Sequence, residues 1–263
     1  MPVRMMRRMI GPLRNSRLLF VALCLALGAG AAFAQGGPPM LTDDPGTPGP
    51  GHWEINLALS QERTSVERAT DLPILDLNYG VGDRIQLNYG VAWSWRDSSS
   101  GESVDAVGNS ELAIKWRFFD EGDDGWKVSM YPRVVLRNPG SRAARLGLAD
   151  DGTTVLLPFE FQRDIGDVGL NFEVGHEFHS RGEEVWVAGA VVGHEFRKDL
   201  EGMVELHADT AGTWADSSMV LNVGLVADFD SPGNLLLSVG REVRTPNDVS
   251  PAWRAYAGWQ FTF

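Results

Sequence analysis

The chain has 263 residues, with 35 acids against 23 bases and a formal net charge of −12. Such acidity argues against nucleic acid or an anionic membrane surface as a partner. The one cysteine excludes a disulfide framework.

Residues 1–34 have the layout of a cleaved secretory signal. Arg4, Arg7, Arg8, Arg14 and Arg17 precede an apolar run from Leu18 to Leu27, and Ala32-Phe33-Ala34 supplies the small-x-small pattern ahead of cleavage before Gln35. The run is too short for a spanning helix, which needs about 20 residues. Cys24 lies inside it behind Leu23, a poor context for lipid attachment, and leaves with the signal. Cleavage would leave 229 residues and a charge near −17. Residues 35–51, rich in Pro and Gly, read as an extended arm that cannot pair as a central strand. Residues 52–263 read as one β domain.

From His52 the hydrophobic period is two. Trp53, Ile55, Leu57 and Leu59 alternate with polar or small residues, as do Leu75, Leu77 and Tyr79. Ile85, Leu87, Tyr89, Val91, Trp93 and Trp95 give the clearest strand. The pattern continues through segments around 112–118, 126–134, 155–161, 170–174, 185–192, 204–206, 221–229, 235–239 and 253–263, twelve in all. In the eighth, Val185 to Val192, both faces are apolar and the register stays open.

The connections point to an up-and-down barrel. Links at 61–72, 96–108, 138–152, 180–184, 209–217 and 243–251 read as long or irregular. Those at 80–83, 120–125, 164–167, 197–199 and 230–233 read as short. Membrane barrels have this asymmetry, an even strand number and aromatics near the strand ends. The expected fold is therefore a single antiparallel transmembrane β-barrel of twelve strands in the bacterial outer membrane, with outer-membrane lipid as its surroundings.

Three segments carry a family resemblance. They are Leu41-Thr42-Asp43-Asp44-Pro45-Gly46-Thr47-Pro48-Gly49-Pro50-Gly51-His52-Trp53-Glu54, then Asn78-Tyr79-Gly80-Val81, then Asn109-Ser110-Glu111-Leu112-Ala113-Ile114-Lys115-Trp116-Arg117-Phe118. Together they resemble the outer-membrane protein family named for the meta-cleavage pathway of phenol degradation. The resemblance implies a transporter or channel, and Asn109 departs from the family's usual Asp. The row Trp259, Phe261 and Phe263 resembles the signal read by the barrel insertion machinery.

The inward face of such a barrel would carry Arg84, Lys115, Arg117, Lys127 and Arg133 on one wall and Glu160, Glu173, Glu177 and Glu205 on the other. Two readings follow: a polar pore with a transverse field, or charges that pair across the lumen and fill it. The arm would be a periplasmic lead or a plug. Val174-Gly-His-Glu-Phe178 recurs as Val192-Gly-His-Glu-Phe196, but a hairpin between them sets the histidines roughly 20 Å apart, too far to share a metal. No catalytic motif, metal site or cofactor site is expected. The expected function is a passive channel or uptake barrel for small solutes, hydrophobic or aromatic ones among them. The alternative is a closed structural or partner-binding barrel.

Overall fold

The computed structural model describes residues 37–122, 125–229, 233–245 and 252–263. The expected signal, 1–34, and the first two arm residues lie outside the described residues. The described arm belongs to the same compact unit as the barrel.

The strands are β1 (Trp53–Arg63), β2 (Glu67–Val81), β3 (Ile85–Ser98), β4 (Ser103–Asp120), β5 (Lys127–Met130), β6 (Arg133–Leu136), β7 (Thr154–Ile165), β8 (Val168–His179), β9 (Val185–Arg197), β10 (Leu200–Thr210), β11 (Ser218–Asp228), β12 (Asn234–Arg244) and β13 (Trp253–Thr262). β5 and β6 are two halves of one stave. Pro132 has no N–H to give the ladder, so pairing stops there, and it resumes in the same register. Met130 faces Trp116 before the break, and Arg133 faces Ala113 after it. The result is twelve antiparallel staves. β1 closes the sheet on β13, from Glu54 opposite Thr262 to Arg63 opposite Trp253.

Alternation sets which side chains go where. On β8, Asn171 and Glu173 are 0% and 4% exposed, while Phe172 and Val174 between them are 39% and 42% exposed. The polar row is inside and the apolar row outside, the reverse of a water-soluble protein. An outward band of Leu112, Ile114, Val192, Val204, Val223 and Val239 continues it around the barrel. A closed ladder satisfies the backbone internally, as a hydrocarbon layer requires. Aromatics mark both rims: Trp53 packs tilted against Tyr79 and Phe229 stacks on Trp259 at one end, with Trp93 beside Trp95 at the other.

β9 settles the open register. Trp186 and Val192 point outward, and Val187 and Val191 are buried inside. Its inner face is apolar because Val191 packs on Met40 of the arm and on Met203.

The pattern of long links is corrected at two places. β1 and β2 are joined by residues 64–66 alone, and β3 and β4 by 99–102. The segments 61–72 and 96–108 are mostly strand. Polar cross-strand contacts carry the ladder on past the aromatic rim: Arg68 pairs with Asp97 at 2.6 Å, and Ser103 donates to Asp97 at 2.6 Å. Residues 137–153 do form a long link, and it folds back onto β4. Asn138 donates to the Gly108 carbonyl at 2.7 Å and Ser141 to the Val107 carbonyl at 2.5 Å.

Candidate functional site

The arm runs inside the barrel. It starts from the β1 end, where the Gly51 N–H donates to the Gly80 carbonyl at 2.9 Å and the Thr47 hydroxyl donates to the Asp83 carbonyl at 3.1 Å. It then crosses the lumen and turns at residues 37–42, closed by the Gly37 N–H donating to the Thr42 carbonyl at 2.7 Å.

An extended Pro/Gly segment has backbone donors and no ladder to satisfy them. The wall supplies the acceptors. Glu205 on β10, fully buried, takes the N–H groups of Leu41 at 2.9 Å and Thr42 at 2.6 Å, and the Asn222 amide at 3.1 Å. Glu173 on β8 takes the Asp43 N–H at 2.8 Å. The Ser238 hydroxyl donates to the Pro39 carbonyl at 2.8 Å.

The Asp43 carboxylate sits between two cations, 2.8 Å from Lys115 on β4 and 3.4 Å from Arg133 on β6. Burial pushes its carboxyl up, but Lys115 and then Arg133 outweigh that and hold it below the usual carboxylate range. Lys115 also donates to the Asp44 carbonyl at 2.5 Å. Glu160 on β7, buried and bonded to the Ser129 hydroxyl at 2.5 Å, stands 3.8 Å from both cations. Arg133 is 3.7 Å from Glu173. The Tyr131 ring lies between Lys115 and Arg133, at 4.6 and 4.5 Å from its centroid.

Inward glycines make room for the arm. A Cβ on Gly80 would lie 1.7 Å from the Gly49 carbonyl oxygen, and one on Gly189 would lie 1.9 Å from the Thr42 hydroxyl. One on Gly224 would meet the Met40 methyl at 1.7 Å. Beside the plug, cavities lined by described residues remain. One of about 450 Å³ lies toward the long-link end, lined by residues such as Asp71, Ile74, Asn109 and Val135. One of about 100 Å³ lies toward the short-turn end, lined by residues such as Thr47, Glu54, Gln86 and Gln260.

This is the architecture of outer-membrane β-barrels. No protein-family model matches the chain, and no curated protein matches it. Among solved structures, the chain is similar to an outer membrane channel from Pseudomonas putida F1, at 13% identity and a TM-score of 0.70, covering 87% of this chain and 100% of that one. It is also similar to the KdgM porin in complex with disordered oligogalacturonate, at 11% identity and a TM-score of 0.55, covering 80% and 99%. A third similar structure is the β domain of the Bordetella autotransporter BrkA, at 12% identity and a TM-score of 0.52, covering 81% and 99%. These likenesses establish the fold.

Of the nine residues expected on the inner face, Lys115, Arg133, Glu160, Glu173 and Glu205 meet around the arm, as the distances above describe. Lys127 lies inside, lower down, 3.6 Å from Asp164, and Glu177 lies above, 3.2 Å from His179. Arg117 sits at the short-turn mouth, 3.1 Å from Asp120 and donating to the Asp83 carbonyl at 2.7 Å. Arg84 is a correction. It is exposed in the β2–β3 turn, because the ladder of β3 begins only at Ile85. The picture of basic and acidic walls facing one another is corrected too. The stave of β5 and β6 lies between β4 and β7, and β8 follows, so Lys115 and Arg133 meet Glu160 and Glu173 sideways along the wall. Trp259 and Phe261 are partly covered, Phe263 is exposed, and the Phe263 N–H and carbonyl bond to Trp53. His176 stacks on Trp186 at 4.3 Å, and His194 bonds the Asp167 carbonyl at 3.0 Å.

The alternation pattern did not bring out Asp43, Asp71, Asp76 or Glu111 as site residues. A signal for the arm was nonetheless present: Gly80, Gly189 and Gly224 interrupt inward rows where a backbone must approach closely.

Proposed function

We propose that this protein is a passive outer-membrane channel for small solutes, closed in this state by residues 37–51. The observation that carries the reading is how the lumen is blocked. The blocking segment is held by backbone hydrogen bonds to wall carboxylates and by one cluster of ion pairs, with cavities of about 450 and 100 Å³ left beside it. Twelve strands enclose a lumen wider than that of the eight-stranded barrels that side chains alone can fill. The fold shared with channels and porins supports the same reading. So does the meeting of the two most specific motifs of the phenol meta-pathway resemblance: Asp43 and Asp44 of the arm contact Lys115 of the second motif. On that resemblance the solutes are small, with aromatic ones among them. The partner-binding alternative is less favoured, because residues 137–153 fold back onto β4 instead of standing free.

The test is conductance in planar bilayers. The full chain should open rarely, and a variant lacking residues 37–51 should conduct continuously. Silence from both would sink the channel reading and favour a closed structural barrel.

A further inference from the structure

The larger cavity is short of hydrogen-bond donors. Asp76 on β2 and Glu111 on β4 stand on either side of Gly90 in one row across three strands, since Gly90 pairs with both. Neighbouring strands are about 4.8 Å apart, so the two residues straddle a pit roughly 10 Å wide whose floor has no side chain. Asp71 stands higher on β2, facing Ser94. Among the described residues none of these three carboxylates has an ion pair. Asp71 and Asp76 accept only neutral donors: Asp71 from Ser60 and Ser94, Asp76 from Asn56, Asn78 and Asn88.

Two amide oxygens extend the deficit. Asn88, 7% exposed, spends its Nδ2 on Asp76 at 2.5 Å and Asn78 at 2.8 Å, and its Oδ1 has no partner. Asn109 spends its Nδ2 on the Asp150 carbonyl at 3.1 Å, and its Oδ1 likewise has none. Their acceptor partners fix both amides in these orientations. Buried acceptors without donors are rare in folded proteins and call for an explanation. The one cation on the cavity, Arg133, turns its Nη2 to Asp43, Glu160 and Glu173, and its Nε has no hydrogen-bond partner. The rest of the lining is mostly apolar, with Ile74, Val91 and Val135 beside the rings and hydroxyls of Tyr131 and Tyr256 and the Asp43 carboxylate.

We infer that this cavity binds a small organic cation, a primary ammonium on a compact apolar or aromatic body. The ammonium brings three N–H donors and no acceptor to a wall where three carboxylates and two unpartnered amide oxygens outnumber the donors of Tyr131, Tyr256 and Arg133. The body meets the aliphatic side, and the tyrosine faces favour the charge. A volume of about 450 Å³ is ample for such a ligand and within the range of small-molecule sites. The inference rests on the channel reading for the route the cation takes, but the binding itself does not need the channel to open.

The experiment is calorimetric titration of the detergent-solubilised full chain with 2-phenylethylammonium, with 2-phenylethanol and phenylacetate as the neutral and anionic comparisons. The cation should bind at least tenfold more tightly than the alcohol, and phenylacetate should not bind. Glu111→Gln and Asp71→Asn should each weaken the cation about tenfold and leave the alcohol unchanged. Each variant is first shown to keep the wild-type heat-modifiable migration of a folded barrel. Should Glu111→Gln not fold, the comparison of the three ligands on the wild-type chain still decides the matter. Equal affinity for cation and alcohol, or no binding of the cation, overturns the inference. Bilayer silence with cation binding intact would instead count against the channel reading alone.

Discussion

Glu205→Gln isolates the hold of the wall on the arm. The wild-type carboxylate is fully buried and accepts from the Leu41 N–H, the Thr42 N–H and the Asn222 amide. Glutamine keeps the volume, but one of its two terminal atoms becomes a donor facing donors. Hydrogen bonds to a charged group contribute about 1.5–3 kcal/mol each, and a buried donor left unmatched costs about 1–3 kcal/mol. The amide oxygen recovers part of this, so the docked arm should lose about 2–4 kcal/mol. At about 1.4 kcal/mol per tenfold, the fraction of undocked arm rises roughly 30- to 700-fold. The β9–β10–β11 ladder does not pass through this side chain and should stay intact. Hydrogen–deuterium exchange at the Leu41 and Thr42 amides reads the change directly, and open time in bilayers reads its consequence. If those amides exchange as slowly in Glu205→Gln as in the wild type, Glu205 does not hold the arm.

Other substitutions probe the remaining parts of the structure. Gly80→Ala puts a methyl 1.7 Å from the Gly49 carbonyl oxygen, a backbone atom that cannot swing aside. It should free the lower arm and raise proteolysis within residues 37–51 while the barrel stays folded. Lys115→Met removes the cation between Asp43 and Glu160, and breaking a buried ion pair from one side costs about 3–5 kcal/mol. The barrel should lose its heat-resistant migration at a lower temperature, and Lys115→Arg should retain most of it. Val223→Arg places a charge on the outward band and should cost about 2–4 kcal/mol when folding is measured in a bilayer. The inward Val220→Thr on the same strand should cost less than half of that.

The barrel could be read from the sequence because its physics is local. A strand shows alternate residues to opposite faces, so a row such as Ile85, Leu87, Tyr89 and Val91 declares an apolar face wherever its partners lie. Twelve such segments and an even count fix a closed wall with its charges inside. The same local logic misjudged the strand ends near 61–72 and 96–108, where polar residues that look like loop continue the ladder through cross-strand pairs. It also carried Arg84 one position too far into β3.

What the sequence could not decide was anything that depends on residues far apart meeting. Whether residues 37–51 lead outside or fill the lumen turns on contacts between Thr42 and Glu205, or Asp43 and Glu173, which lie 163 and 130 positions apart. No periodicity encodes such a pairing. The ambiguous register of β9 had the same cause. Val191 on its inner face packs on the methionine of a plug instead of meeting water, so neither face needed to be polar. The charge balance followed from the plug as well. Once Asp43 docks on Lys115 and Arg133, those two cations are held in the Asp43, Glu160 and Glu173 cluster, and neither Asp71, Asp76 nor Glu111 pairs with a cation within 4 Å among the described residues. Local alternation set the wall and its polarity, and the tertiary meeting of arm and wall decided what is left open inside it.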